Sequence, residues 1–421
     1  MAILIRSLRL LTVLKENSMK KFINKVKPLL PNIPALLIYV FFTIISLPLF
    51  TLRKKKIWLI CEKPDEARDN GYHLFRYIRL NHPEVWCYYI INQNSKDIEK
   101  VIALGNVIKT GGVRHYLYYV NAYRLISSQS NGFLPNWLFG KMFGFRLNRD
   151  CKTVFLQHGI TQAPQPSLYF PQTDLNLFVC SAKREYEFVR DTFLYPKANV
   201  RLLGFTRFDE LLTRTEIKNQ ILIMPTWRAY LFNIDQKQRP QKMVLFKESA
   251  YFKENLALLT NNDIQDCLKN RGTVLIFYLH YMMQVYASEF AEEIEKAGCE
   301  NVIIAKREDH DVQRLLKESL LLITDYSSVY FDFAYMKKPI IHFQYDDEEY
   351  HRNHYKKGYF DFKADGFGPV YKSADETAHA IIKCAKNEFN MENTYVERVD
   401  NFFIFNDANN CKRNFEAIAE Q

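Results

Sequence analysis

LLLITDYSSVYFDFAYMKKPIIHF, residues 320–343, decides how this chain folds. Leu320 to Thr324 is a run of apolar and β-branched residues, the pattern of a strand buried on both faces. It breaks at Asp325-Tyr326-Ser327-Ser328 into VYFDFAYMKK, where Val329, Phe333 and Met336 recur at helical spacing. Lys337, Lys338 and Pro339 stop that helix, and IIHF makes the next strand. Strand, polar turn, helix, strand is one unit of a doubly wound parallel sheet, whose ligands gather at the carboxyl ends of the strands. Ser327 and Ser328 therefore fall where free backbone N–H groups and two hydroxyls can take a phosphate. The plainer alternative is a helix N-cap formed by Ser327 or Asp325.

The same pattern repeats outward from this stretch. Strands are expected at 57–61, 86–91, 124–128, 152–157, 175–180, 200–203, 221–228, 273–279 and 302–305, and helices at 71–80, 311–318, 374–387 and 401–420. Two of the ten histidines stand where such a strand meets its loop: His158, followed by Gly159, and His280. Glycine there lets backbone approach a ligand closely. The strand at 221–228 carries Thr226, Trp227 and Arg228 at its end, so Arg228 is placed to reach a phosphate, while Trp227 can be packing alone. Glu62, Arg68, Asp69 and Asn70 fill the loop after the first strand, a favoured place for ligand contacts or simply a polar loop. Residues 230–242 read as a polar loop containing a proline. Asp346 to Glu349 invites a metal reading, but consecutive acids rarely converge on one ion, and a solvated loop is expected instead.

A chain of 421 residues exceeds what one core usually supports and implies two domains. Its formal net charge of +10 lies entirely in residues 1–56, which hold eleven basic residues and one acid, Glu16. The remainder balances 46 basic against 46 acidic residues, so a nucleic-acid-binding face on the folded part loses its support. An anionic membrane surface gains it, at about 1 kcal/mol for each nearby Lys or Arg. The eight cysteines are scattered with no Cys-x-x-Cys, which argues against a zinc site or a disulfide framework and for a reducing cytoplasm.

Ile33 to Leu52 carries no charge and is about as long as a membrane span. Prolines 31, 34 and 48 and basic residues on both sides suit a monotopic or interfacial segment as well as a spanning one. Met19 is an alternative translation start to Met1.

The segment TDYSSVYFDFAYMKKPIIHFQYDDEEY (324–350), with GYFDF and GPV after it, closely resembles the signature of the CDP-glycerol glycerophosphotransferase family, the teichoic-acid polymerases and related capsule enzymes. LQHGITQ (156–162), GFTRFDEL (204–211), PTWR (225–228) and FYLHY (277–281) resemble its other motifs, in its order. The resemblance implies an α/β, GT-B-like fold in which two Rossmann-like doubly wound domains face a cleft that takes a nucleotide-activated donor. The expected organisation is a membrane-associating segment over 1–56, an acceptor domain over 57–212, a CDP-donor domain over 213–395, and a C-terminal helix over 396–421 packing back on the first domain. The resemblance makes His158 the general base, with His280 the second catalytic residue. Gly159, Arg207, Thr226, Arg228, Asp325, Ser327, Ser328 and Asp332 are expected to bind the donor. It assigns no metal site, requires no cofactor and leaves a divalent ion undecided.

The implied reaction moves glycerol phosphate or ribitol phosphate from CDP-glycerol or CDP-ribitol to a hydroxyl of a lipid-linked or polymeric polyol-phosphate acceptor, releasing CMP. It would run at the cytoplasmic face of the cell membrane. The alternatives are a GT-B glycosyltransferase using a nucleotide sugar and an inactive membrane-bound scaffold. The presence of both strand-end histidines and both serines argues against the scaffold.

Overall fold

A computed structural model of the chain describes residues 33–48, 54–136, 147–232, 239–307, 309–353 and 357–421. The apolar runs form strands β1 (Trp58–Cys61), β2 (Cys87–Ile91), β3 (Val107–Lys109), β4 (Arg124–Ser127), β5 (Lys152–Phe155), β6 (Leu177–Cys180) and β7 (Val200–Leu202). They continue as β8 (Gln220–Met224), β9 (Val274–Tyr278), β10 (Val302–Ala305), β11 (Leu321–Thr324), β12 (Ile340–Phe343) and β13 (Val370–Tyr371). The short edge strands β3 and β13 carry too few apolar residues to be read from sequence, and they are additions to the expected set.

The chain divides into two compact units between Leu156 and Gln157. In the first, parallel strands run in the order β3-β2-β1-β4-β5 over a core that includes Ile57, Leu59, Ile90, Val120 and Leu125. In the second, β6 pairs with β7, and a six-stranded parallel sheet runs β10-β9-β8-β11-β12-β13. Successive side chains of a strand point to opposite faces, and the packing follows. Ile221, Ile223, Leu321 and Ile323 enter one core, while Leu222, Met224 and Leu322 enter another. In each unit's main run of strands the order reverses beside the strand that comes first in sequence, between β1 and β4 and between β8 and β11. Such reversals are where open α/β sheets bind ligands.

The expected boundary at 212/213 falls inside the second unit. The short helix Phe208–Leu211 and the residues before it are tied to the C-terminal elements. Arg207 pairs with Asp332, and the Asp209 carboxylate accepts the Asn410 and Cys411 backbone N–H groups at 2.9 and 2.8 Å. The expected helix 401–420 is two helices, Asn393–Phe402 and Asn410–Ala419, so residue 396 lies inside a helix rather than at a boundary. The chain turns through Asn406 to Asn409, with Ala408 in a left-handed conformation at φ 54°. The last helix packs on 203–206, donating from Arg413 to the Leu203 carbonyl and from Asn414 to that of Gly204.

The apolar N-terminal run forms helix α1 (Ile33–Ser46), fourteen residues and therefore about 21 Å long, short of the about 30 Å that a bilayer core requires. Among the described residues no helix is long and apolar enough to cross a membrane. Residues 1–32, which include both candidate start methionines, and residues 49–53 lie outside the described residues. The polar stretch 230–242 is partly helical, within Ala229–Phe232 and Arg239–Glu248, with 233–238 outside the described residues.

Candidate active site

The second unit's reversal point places the end of β8 beside the end of β11, with Met224 opposite Thr324. There the two strand ends are joined by Asp325, which is buried. Its carboxylate accepts the Thr226 backbone N–H at 2.9 Å, the Thr226 hydroxyl at 2.6 Å and the Tyr326 N–H at 2.6 Å. Arg228 adds an ion pair to Asp325 at 2.8 Å. Sequence reading has Arg228, Thr226 and Asp325 reaching for a donor; the structure turns them toward one another.

Arg228 is completely buried, and each of its guanidinium nitrogens has a partner. Nε and Nη2 grip Asp346 at 2.6 and 2.9 Å, and Nη1 donates to the Thr226 carbonyl at 2.7 Å. The rings of Tyr251, Tyr326, Tyr345 and Tyr350 surround it at 4.9–5.7 Å. Asp346 is thus not part of a solvated acidic loop. A fully desolvated guanidinium needs carboxylate partners, and Asp346 and Asp325 supply them. Burial raises the Asp346 carboxyl above its ordinary range while Arg228 pulls it back. Arg207 and Asp332 form a second buried pair, two-pronged at 3.1 and 2.7 Å, with the Arg207 guanidinium 5.0 and 5.1 Å from the ring centres of Phe205 and Phe208. Four of the expected donor contacts, Arg207, Arg228, Asp325 and Asp332, are therefore the braces of the site.

What these braces hold in the open is the serine turn. Ser327 is half-buried and Ser328 exposed, at the start of a helix that spans Val329–Tyr335. Ser328 occupies the cap position, yet its hydroxyl makes no capping hydrogen bond. Asp325 fixes the turn instead, so neither serine hydroxyl is taken up as the helix cap.

His158 is exposed on a loop that begins after β5. Its neighbour Gly159 lies directly on the serine turn: a Cβ there would stand 3.2 Å from the Ser328 Oγ. A second grip on this loop went unread in the sequence. Gly358 comes so close to the Gln162 carbonyl that any side chain would overlap it, Tyr359 donates its N–H to that carbonyl at 3.1 Å, and Tyr330 donates to the Gln162 side chain at 2.8 Å. The glycine of GYFDF was the available signal, because an invading backbone demands the absence of Cβ.

His280 follows β9, the strand on the other side of β8. Its Nδ1 accepts the Met282 N–H at 3.3 Å, which leaves the proton of the neutral ring on Nε2 as a donor. Trp227 stacks on the imidazole with ring centres 6.1 Å apart, in addition to packing against the core. Among the described residues no three His, Cys, Asp or Glu side chains are grouped to hold a metal ion.

The first unit's reversal point is filled from within. Glu62, just past β1, is buried, and its carboxylate accepts the N–H groups of Arg68, Asp69 and Tyr72 at 2.8, 2.9 and 2.6 Å, at the start of the helix Asn70–Asn81. That is where a phosphate sits in a nucleotide-binding βα unit. Burial, reinforced by the nearby charge of Asp69, pushes this carboxyl up to about 8.

The chain is 35% identical over 379 residues to the minor teichoic acid biosynthesis protein GgaB of Bacillus subtilis (strain 168), covering 88% of this chain and 40% of that protein. It is 29% identical over 220 residues to the teichoic acid poly(glycerol phosphate) polymerase of the same strain, covering 52% and 26%. The chain spans about half the length, or less, of these curated relatives. A structure of the wall teichoic acid polymerase TagF superposes with a TM-score of 0.64 at 16% identity, covering 94% of this chain and 97% of that one. A putative UDP-N-acetylglucosamine 2-epimerase from Listeria monocytogenes follows at 0.56 and 11% identity, covering 87% and 96%. These likenesses fix the fold as the α/β, GT-B-like one. The family model described as CDP-glycerol:poly(glycerophosphate) glycerophosphotransferase matches residues 40–420, and with the five motifs lying along that same span, the chain belongs to this family.

Proposed function

We propose that the chain transfers an alditol phosphate, glycerol phosphate or ribitol phosphate, from a CDP-alditol to a hydroxyl of a teichoic-acid or capsule-type polymer, releasing CMP. The observation that carries this reading is the serine turn, two hydroxyls left out of the cap at a reversal point and held against the His158 loop. In the reaction, the acceptor oxygen attacks the phosphorus that bears the alditol while the bond from that phosphorus to the bridging oxygen breaks. The bridging oxygen leaves as part of CMP. His158 takes the acceptor proton, and Ser327, Ser328 and the Nε2–H of His280 donate to the pyrophosphate oxygens. Catalysis is otherwise positioning and charge stabilisation.

We assign the donor to residues 213–395 and the acceptor to residues 57–212. Glu62 supports this assignment, because its carboxylate fills the first unit's phosphate position. One TagF structure was obtained after soaking with CDPG, which is consistent with this donor class.

We place the chain at the cytoplasmic face of the membrane, peripheral or monotopic, with 1–56 as the anchor and a lipid-linked acceptor. Helix α1 supports this: Phe42 stacks on Tyr116 of the helix Val113–Asn121, while Leu37, Phe41 and Ile44 stay more than half exposed. Such an apolar face, followed in the sequence by Lys54, Lys55 and Lys56, suits an anionic lipid surface.

The test is Ser327→Ala with Ser328→Ala, read by titration of CDP-glycerol and of CDP-ribitol. Donor affinity should fall about tenfold or more, since each hydrogen bond to a charged group contributes roughly 1.5–3 kcal/mol, and the melting temperature should hold. Unchanged affinity with a lower melting temperature would make the serines parts of the fold alone.

A further inference from the structure

The His158 loop is closed from beneath by a residue that no motif identifies. Glu185 stands in the first turn of the helix Lys183–Thr192 and is completely buried. Its Oε1 accepts the Thr161 backbone N–H at 2.7 Å and the Gln157 side-chain amide at 3.0 Å. Its Oε2 accepts the N–H groups of Ser181 at 2.7 Å and Ala182 at 3.4 Å. Gln157 is further fixed by donating to the Val179 carbonyl at 2.6 Å and by accepting the Thr161 hydroxyl at 2.8 Å. Both ends of the loop 157–161 therefore converge on one carboxylate, with His158 between them.

Two features separate this clamp from an ordinary helix cap. A glutamate at the third helical position normally reaches back to its own cap from the surface. Glu185 does so with one oxygen only and directs the other into the loop. The loop also needs holding, because Gln157 has φ 59°, a left-handed backbone that is strained for a non-glycine residue. The neighbouring Arg184 turns instead to the Tyr359 carbonyl and to Asp365. Burial pushes the Glu185 carboxyl up to about 7, against the pull of its N–H donors. Glutamine is the same size but offers one acceptor and one N–H pair, so it would set donor against donor on one side of the clamp.

We infer that Glu185 is a positioning residue for His158, fixing both ends of the loop so that the imidazole meets the acceptor hydroxyl. This rests on the reading of His158 as general base. The experiment follows CMP release from CDP-glycerol, with a lipid-bearing glycerol phosphate oligomer as acceptor, in the full chain and in Glu185→Gln, His158→Ala and the double variant. Glu185→Gln should lower kcat by about 10–100-fold and leave the donor KM within about threefold. Added to His158→Ala, it should lower turnover by less than about threefold more, because its effect acts through the missing imidazole.

A full additional loss in the double variant, or a raised donor KM with kcat intact, would overturn the inference and leave the general base standing. Wild-type turnover by His158→Ala would overturn the general-base reading and this inference together. Should Glu185→Gln fail to fold, Gln157→Met carries the same test, since it removes the loop side of the clamp and leaves the helix side intact.

Discussion

Gly159 and Ser328 touch across 169 positions of sequence so closely that a β-carbon on the glycine would lie 3.2 Å from the serine hydroxyl and 3.5 Å from its Cβ. This contact joins the loop carrying His158 to the turn assigned to the donor, and it makes the two motifs one site.

Gly159→Ala should therefore displace Ser328 by a few tenths of an ångström and lower turnover by about tenfold. Misplacement on that scale is costly in a site that works by positioning. In a Ser328→Ala background the hydroxyl that is crowded is gone, and the further loss from Gly159→Ala should shrink. Steady-state CMP release by the four proteins measures the coupling; equal losses in both backgrounds would separate the loop from the turn.

Arg228 separates bracing from binding. Arg228→Met leaves Asp325 and Asp346 buried without their cation and should destabilise the fold by about 3–5 kcal/mol, read as a lower urea midpoint. Arg228→Lys should recover only part, because an ammonium cannot reproduce the two-pronged grip on Asp346. A variant of unchanged stability that binds CDP-glycerol poorly would return Arg228 to the donor.

Glu62 should give the first unit a pH signature. Its carboxyl titrates near 8 in the fold against an ordinary value of 4.5, so between these the folded chain holds a proton that the unfolded chain has released. Its contribution to stability therefore falls as pH rises from about 4.5 through about 8 and is level beyond. Glu62→Gln removes this slope. The melting temperature of the variant, measured against the wild type at pH 5, 7 and 9, should gain on it with each step; a constant gap would mean that the carboxyl is not titrating there.

The elements were legible where one segment carries its own signal. The apolar run ending at Thr324 is β11, and the strand-end histidines follow β5 and β9 as their sequence neighbours require. Partners distant in sequence were not legible. Nothing near Arg228 announces Asp346, 118 residues away, and nothing in CSAKRE tells that Glu185 turns one oxygen toward Thr161. Polar residues at a strand end look alike whether they face a ligand or brace the residues that do, and burial decides between them. The turn at Asn406 to Asn409 did have a local cue, a run of Asn and Asp inside an otherwise helical pattern.

The proposed division of roles sets His158 on the acceptor and His280 on the donor. Its most direct measurement is titration of CDP-glycerol into His158→Ala and His280→Ala, followed by CMP release at saturating donor. His158→Ala should bind donor as the wild type does and turn over about 10²–10⁴-fold more slowly. His280→Ala should bind donor more weakly, by the roughly 1.5–3 kcal/mol of one hydrogen bond to a charged group, and should also be slower. Loss of donor affinity with normal turnover in His158→Ala, or wild-type binding and rate in His280→Ala, would contradict the account.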